Sequence, residues 1–333
     1  MSSQWNDKIF GLTEAGFVAL SLEIFRFQYQ HNPVYGQYVD ALQVKPGEVQ
    51  KLADIPFLPI RFFKSHAVTT TGFTPELVFE SSGTTGSINS KHLVKDALVY
   101  EESFTRAFRQ FYGEINDWCV IGLLPAYLER QGSSLVYMVD KLVKNSRHPQ
   151  SGFYLYDFEK LQQVLLQLES QGQQVLLIGV TFALLDFAQQ YPTPLQHTVM
   201  METGGMKGRR EELIRPQVHE ILQQAFGLPA IHAEYGMTEL LSQAYSKGNG
   251  LFSCPPWMKV LIREEEDPLA IRSVKEIKQK PVSGAINIID LANIYSCSFI
   301  ATDDAGQLEG DGSFRVMGSL DNSDIRGCSL MVV

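Results

Sequence analysis

Three clusters of side chains have the types and spacing to do chemistry. The first is Glu80-Ser-Ser-Gly-Thr-Thr-Gly86. Its glycines let backbone N–H groups approach an anion, and the hydroxyls of Ser81, Ser82, Thr84 and Thr85 can donate to phosphate oxygens. It is not a Walker A loop, because no Gly-Lys-Ser/Thr follows at the required spacing. The second is Ala233-Glu-Tyr-Gly-Met-Thr-Glu239, just after an apolar run. An acidic residue beside a hydroxyl at the carboxyl end of a strand suits Mg²⁺ held against phosphate. The third is Thr302-Asp-Asp-Ala-Gly306. A carboxylate at a strand-end turn accepts both hydroxyls of a ribose. Each cluster taken alone also reads as an ordinary turn or helix start.

The elements that must position these clusters follow from periodicity. Phe17, Leu20, Ile24 and Phe27 recur at helical spacing within residues 13–42, where Pro33 interrupts the pattern. Asp54–Ile60 is punctuated by prolines and reads as extended chain, and Leu77–Glu80 as a strand running into the first cluster. Helix is predicted over Val99–Phe111 and strand over Trp118–Leu124. The middle then alternates: helix Phe158–Glu169, strand Gln174–Gly179, helix Phe182–Gln190 and strand Thr198–Glu202. A helix over Arg210–Phe226, kinked at Pro216, and a strand over Ala230–Glu234 follow. Such alternation predicts an α/β fold with a largely parallel sheet. After Gly250 the pattern changes to strands at Val260–Ile262, Ala285–Ile289 and Ser298–Ala301, a smaller β-rich subdomain. The run Arg263-Glu-Glu-Glu-Asp267 reads as a solvated turn, not a metal site.

Composition narrows the partners. The chain has 333 residues, room for about two domains or one elaborated α/β domain. Lys and Arg number 28 against 37 Asp and Glu, a net charge of −9. That balance gives no electrostatic footprint for nucleic acid and would be repelled by an anionic membrane. The longest apolar stretch, Val175–Phe187, carries Asp186 and is shorter than the ~20 residues of a span. The four cysteines, Cys119, Cys254, Cys297 and Cys328, form no CxxC and fit a reducing compartment. The amino terminus has no apolar core behind basic residues. A cytoplasmic protein without membrane insertion is expected.

Taken in order, the three clusters resemble the phosphate loop, the YGxTE motif and the TGD motif of the adenylate-forming enzymes, the superfamily of acyl-CoA ligases and luciferase. Met201-Glu-Thr-Gly-Gly-Met-Lys-Gly208 falls where that superfamily has its adenine-binding glycine loop. Phe314-Arg-Val-Met-Gly-Ser-Leu-Asp-Asn322 resembles its hinge motif. Four segments narrow the likeness: Phe79–Gly86, Tyr127-Leu-Glu-Arg-Gln-Gly-Ser-Ser134, His232–Glu239 and Asp324-Ile-Arg-Gly-Cys328. They look like the acyl-protein synthetases, the long-chain-fatty-acid–protein ligases of bacterial luminescence (the LuxE family). The likeness runs from about Ile55 to the end of the chain.

The resemblance implies an adenylate-forming large domain with mainly parallel sheets flanked by helices. Residues 1–250 would form the α/β core, 251–318 its β-rich subdomain, and 319–333 a tail carrying Cys328. The mobile C-terminal domain of the CoA ligases would be absent, which makes transfer to free CoA less expected. The implied activity is ATP- and Mg²⁺-dependent activation of a long-chain fatty acid. The acyl group would then pass to a cysteine of the protein and on to an acyl-reductase-type partner subunit.

Ser81, Ser82, Thr84 and Thr85, with Gly83 and Gly86, would grip the β- and γ-phosphates. Gly204 and Gly205 would admit adenine, Tyr235 beside Gly236 would stack on it, and Asp304 would take the ribose. Thr238 would contact the α-phosphate and Glu239 would bind Mg²⁺. Cys328 stands at the acceptor position, where Arg326 would favour its thiolate. His232 could polarise the substrate carboxylate or be a satisfied strand-end histidine. Tyr127, Glu129, Arg130 and Ser133 could line the acyl or partner site.

Two departures stand out. Ser319 follows Gly318 where the superfamily often has an arginine, and the usual Pro-Lys after the phosphate loop is missing, Lys91 being displaced. Two other functions fit the same residues: an adenylating ligase that transfers to CoA or a carrier protein, and a non-catalytic nucleotide- or acyl-binding partner.

Overall fold

The computed structural model describes residues 2–81, 88–124, 132–204, 213–265, 267, 269–272 and 280–320. The chain opens with helices α1 (Ser2–Phe10), α2 (Phe17–His31) and α3 (Pro33–Ala41), then a two-residue strand β1 (Leu58–Pro59) and a short helix α4 (Phe62–Ser65). A hairpin of β2 (Leu77–Glu80) and β3 (Lys91–Val94) precedes α5 (Ala97–Tyr112). The alternating middle is β4 (Cys119–Leu123), α6 (Ser134–Ser146), β5 (Gly152–Phe153), α7 (Phe158–Ser170), β6 (Val175–Val180), α8 (Thr181–Gln190), β7 (Thr198–Thr203), α9 (Arg215–Phe226) and β8 (His232–Tyr235). Strands β9 (Ala244–Ser246), β10 (Phe252–Ser253), β11 (Met258–Arg263), β12 (Val282–Asp290), β13 (Phe299–Leu308) and β14 (Phe314–Ser319) follow.

The described residues form two compact units. One draws on Met1–Ser103, Met237–Ser242 and Ser253–Val333, and the other on Phe104–Gly236 and Gln243–Phe252. In the second unit β8, β7, β6, β4 and β5 pair in parallel in that order, and β9 runs antiparallel to β8. Strands β4 and β6 are buried at every position. This is why they read as unbroken apolar runs rather than alternating ones: helices cover both faces of a parallel sheet. In the first unit β11, β12, β13 and β14 pair antiparallel, and β1 adds to β13 in parallel through Leu58 and Ile300.

The helical pattern is interrupted at Pro33 as expected, giving two helices: Asn32 caps α3 by accepting from Tyr35 N at 3.1 Å, and its Nδ2 donates to Ser296 O at 2.9 Å. Two expectations change. Pro216 does not kink α9. The helix starts at Arg215, so Pro216 sits in the first turn, where a missing N–H costs nothing. Most consequentially, Thr302–Gly306 is no turn. Strand β13 continues through it to Leu308, with a bulge in its pairing to β12.

Candidate functional site

In the first unit the β2–β3 hairpin delivers the Ser/Gly/Thr loop. Its base is closed by Ser81 N donating to Ser90 O at 3.0 Å and Ser90 N donating to Ser81 Oγ at 2.9 Å. Lys91 pairs with Glu80 at 3.2 Å across the same two strands. Ser82, Gly83, Thr84, Thr85 and Gly86 lie outside the described residues, as do Gly205, Tyr127, Glu129, Arg130, Arg326 and Cys328.

Residues Met237–Ser242 carry Thr238 and Glu239, and their backbone is held from several sides. His92 Nδ1 meets Thr238 O at 2.9 Å. Asn293 Nδ2 donates to Glu239 O at 2.7 Å. Asp290 accepts from Leu241 N at 2.8 Å, from Ser242 N at 2.9 Å and from Ser242 Oγ at 2.6 Å. These side chains anchor a segment that forms no helix or strand of its own. Buried backbone groups need partners, and here distant side chains supply them.

His92 is the link between hairpin and motif. Burial drives its pKa down to about 4, so the ring is neutral at neutral pH. A carbonyl only accepts, so the proton sits on Nδ1, and Nε2 accepts from Ser296 Oγ at 2.9 Å. Glu239 is 5% exposed. Burial raises its pKa, a hydrogen bond to Ser90 and the charge of Lys64 oppose that, and Asp303 reinforces it. One acidic residue in hydrogen-bonded surroundings suits Mg²⁺, which binds through one or two carboxylates plus substrate phosphates. No cluster of three metal-ligating side chains occurs among the described residues.

Asp303 and Asp304 belong to a two-residue excess in β13. Ala285 pairs with Ala305 and Asn287 with Ala301, so Thr302, Asp303 and Asp304 face the single residue Ile286. Asp304 pairs with Ser319 on β14. Asp303 meets Arg61 Nε at 3.0 Å, and it is Asp303 whose charge acts on Glu239.

In the second unit, taken by itself, the carboxyl ends of β7 and β8 are positions where ligands bind in open α/β sheets. Gly204 has φ +73°, a conformation that favours glycine, and its carbonyl accepts from Thr181 Oγ1 at 2.7 Å. Glu202 accepts from Arg215 Nε at 2.6 Å and from Thr181 Oγ1 at 3.1 Å. Burial pushes its pKa up, but His219 and Arg215 outweigh burial and hold it below the ordinary value. Glu234 accepts from Thr203 Oγ1, and burial lifts its pKa to about 7. Tyr235 is buried, with its ring 5.9 Å from that of Phe252. A side chain on Gly236 would meet Glu234 Oε1 at 2.4 Å, so this glycine keeps the strand exit open.

His232 is placed elsewhere. It starts β8, three residues before Tyr235, and its Nδ1 lies 3.1 Å from Tyr112 Oη. Burial, then Lys247 and His219, lower its pKa to about 4. The contact with Tyr112 gives His232 a hydrogen-bond partner within the second unit. Ser133 caps α6, accepting from Val136 N at 3.3 Å. Cys119 and Cys297 are buried, and burial pushes their thiols up to about 11 and 12, away from the reactive thiolate.

No protein-family model matches the sequence, and no curated protein matches it. Solved structures do match in fold. The ATP-bound structure of MatB from Rhodopseudomonas palustris aligns with 78% of this chain and 51% of its own, at 14% identity and TM-score 0.55. A 2-hydroxyisobutyryl-CoA ligase in the postadenylation state, in complex with R3-HIB-AMP, aligns with 93% of this chain and 68% of its own, at 10% identity and TM-score 0.65. O-succinylbenzoate coenzyme A synthetase (MenE) from Bacillus subtilis, in complex with ATP and magnesium ion, covers 74% and 50% at 14% identity and TM-score 0.50. The chain spans about half the length of the MatB structure. The chain shares its fold with these structures. No helix among the described residues is long and apolar enough to cross a membrane.

Proposed function

We propose that this protein activates a carboxylic acid with ATP, and that the acid is a long-chain fatty acid. A carboxylate oxygen attacks the α-phosphorus, the bond to the bridging oxygen breaks, and pyrophosphate leaves with the electron pair. The observation that carries this reading is the His92 tether. It ties the hairpin bearing the Ser/Gly/Thr loop to the backbone of Thr238, so that the two segments expected to hold phosphate are held to one another. In this reading the hydroxyls of Ser81, Ser82, Thr84 and Thr85 bind the β- and γ-phosphates, and Thr238 binds the α-phosphate. Glu239 holds Mg²⁺, which neutralises phosphate charge when bound. Positioning and charge neutralisation are what phosphoryl chemistry asks of a protein. Tyr235, Gly204 and Gly205 receive adenine, and Asp304 the ribose.

The second half-reaction is proposed from the resemblance. The Cys328 thiolate attacks the acyl carbonyl and AMP leaves; the acyl group then passes to a thiol of an acyl-reductase-type partner, where a hydride-donor cosubstrate of that partner reduces the thioester to the aldehyde and frees the thiol. The burial of Cys119 and Cys297 supports Cys328 as the acceptor by disfavouring those two thiols. The test is intact-protein mass after incubation with Mg²⁺, ATP and fatty acids of graded length, followed by peptide mapping. An ATP-dependent adduct on the Cys328 peptide is expected. Pyrophosphate release without an adduct would assign the acceptor to CoA, a carrier protein or another external thiol.

A further inference from the structure

Arg263 ends β11 and reads in the sequence as the first residue of a solvated acidic run, yet it is only 7% exposed. Its guanidinium reaches beneath the excess residues of β13. Nη1 donates to Ile286 O at 2.8 Å and to Asn287 Oδ1 at 2.7 Å, and Nη2 donates to Thr302 O at 2.7 Å. Thr302 Oγ1 donates to the same Ile286 carbonyl at 2.8 Å and accepts from Asp304 N at 3.2 Å.

This is the point where the β12–β13 ladder is interrupted, and a bulge of that kind leaves backbone carbonyls without their ladder donors. Arg263 and the Thr302 hydroxyl replace those donors. A planar fork of N–H groups satisfies several acceptors at fixed angles; a lysine ammonium on a flexible stem does not reproduce that arrangement. Charge-assisted bonds of this kind are short and strong. Asp303 and Asp304 are the half-buried part of the same bulge: Asp303 faces Arg61, and Asp304 faces Ser319.

We propose that Arg263 is a positioning residue for ribose recognition: it holds open the bulge that presents Asp304, and with it Asp303, to the nucleotide. The inference rests on the adenylating reading above. Arg263 touches no substrate. It acts through the backbone of Thr302 and Ile286.

The test compares binding of ATP and 3′-deoxy-ATP by titration calorimetry, in wild type and in Arg263→Lys, with a thermal melt on each. Wild type should favour ATP. In folded Arg263→Lys, ATP affinity should drop by about tenfold or more while 3′-deoxy-ATP loses less, so that the preference for the 3′-hydroxyl collapses. A merely structural role would weaken both nucleotides equally. A folded variant that keeps wild-type affinity and preference, or loses both nucleotides in parallel, overturns the proposal. Wild type that binds ATP without preference refutes the ribose role, and wild type that binds no ATP refutes the adenylating reading itself. Should Arg263→Lys fail to fold, Thr302→Val removes only the hydroxyl from the same bulge and is read the same way, with a smaller shift in preference expected.

Discussion

Asp304 stands directly opposite Ser319 across the β13–β14 pairing, and the Ser319 hydroxyl donates to the Asp303 carbonyl at 3.3 Å. The residue that departs from the hinge pattern of the adenylate-forming enzymes is therefore the cross-strand neighbour of the proposed ribose carboxylate. Ser319→Arg would add a cation beside that carboxylate and the nucleotide. We expect it to tighten ATP binding by several-fold, up to about tenfold, as for one exposed charge contact. Unchanged ATP affinity by titration would remove the cation argument.

Glu239→Gln keeps the shape and the backbone tethers but removes the carboxylate. Fatty-acid-dependent pyrophosphate exchange should fall by about 100-fold or more, the scale of losing one preorganised electrostatic contact. In wild type, burial raises the Glu239 pKa. The proton that blocks Mg²⁺ binding should therefore return at a pH above the ordinary carboxylate range, and exchange should fall on that acidic limb. A pH–rate profile checks this, and a flat acidic limb would count against Glu239 as the metal ligand.

His92 is buried and neutral, with its folded pKa near 4 against 6.5 unperturbed. The unfolded chain takes up this proton first. Stability from His92 is thus complete above pH 6.5 and is lost as pH falls from 6.5 towards 4. His92→Gln should flatten that part of the stability curve. It should also cost about 2 kcal/mol at neutral pH if it leaves the Thr238 carbonyl or Ser296 hydroxyl unpaired. Denaturant unfolding at several pH values measures both effects.

Glu234 shows the opposite sign. Its folded pKa is about 7 against 4.5, so burial favours the protonated form. The folded state loses stability as pH rises from about 4.5 through 7. Glu234→Gln has no proton to lose and keeps an acceptor for Thr203. It should therefore be more stable than wild type at pH 8, by on the order of 3 kcal/mol, and no more stable at pH 4. Equal pH dependence in the two proteins would show that Glu234 is ionised throughout.

Periodic elements were legible in the sequence because their signal is local. The Leu161, Leu165 and Leu168 stripe places α7, and the apolar runs of β4 and β6 announce a parallel sheet. Pro216 misled because a proline early in a helix and one inside it differ only by where the helix begins. Asp303–Gly306 misled because an Asp-Gly-rich stretch signals a turn unless something across the sheet holds it extended. That something is Arg263, hidden in a run of acidic residues. His92 and Asp290 had no sequence signal either: His92 meets Thr238 at a separation of 146 residues, and Asp290 meets Leu241 at 49. Side chains that anchor one backbone segment to another leave no periodicity to read.

The central claim is that the chain forms acyl-adenylates, and Mg²⁺-dependent ATP–pyrophosphate exchange driven by added fatty acid tests it most directly. Wild type should incorporate labelled pyrophosphate into ATP with at least one chain length, and Glu239→Gln should not. Absence of exchange in folded wild type that binds ATP, across short, medium and long acids, would contradict the account and leave a nucleotide-binding protein without ligase chemistry.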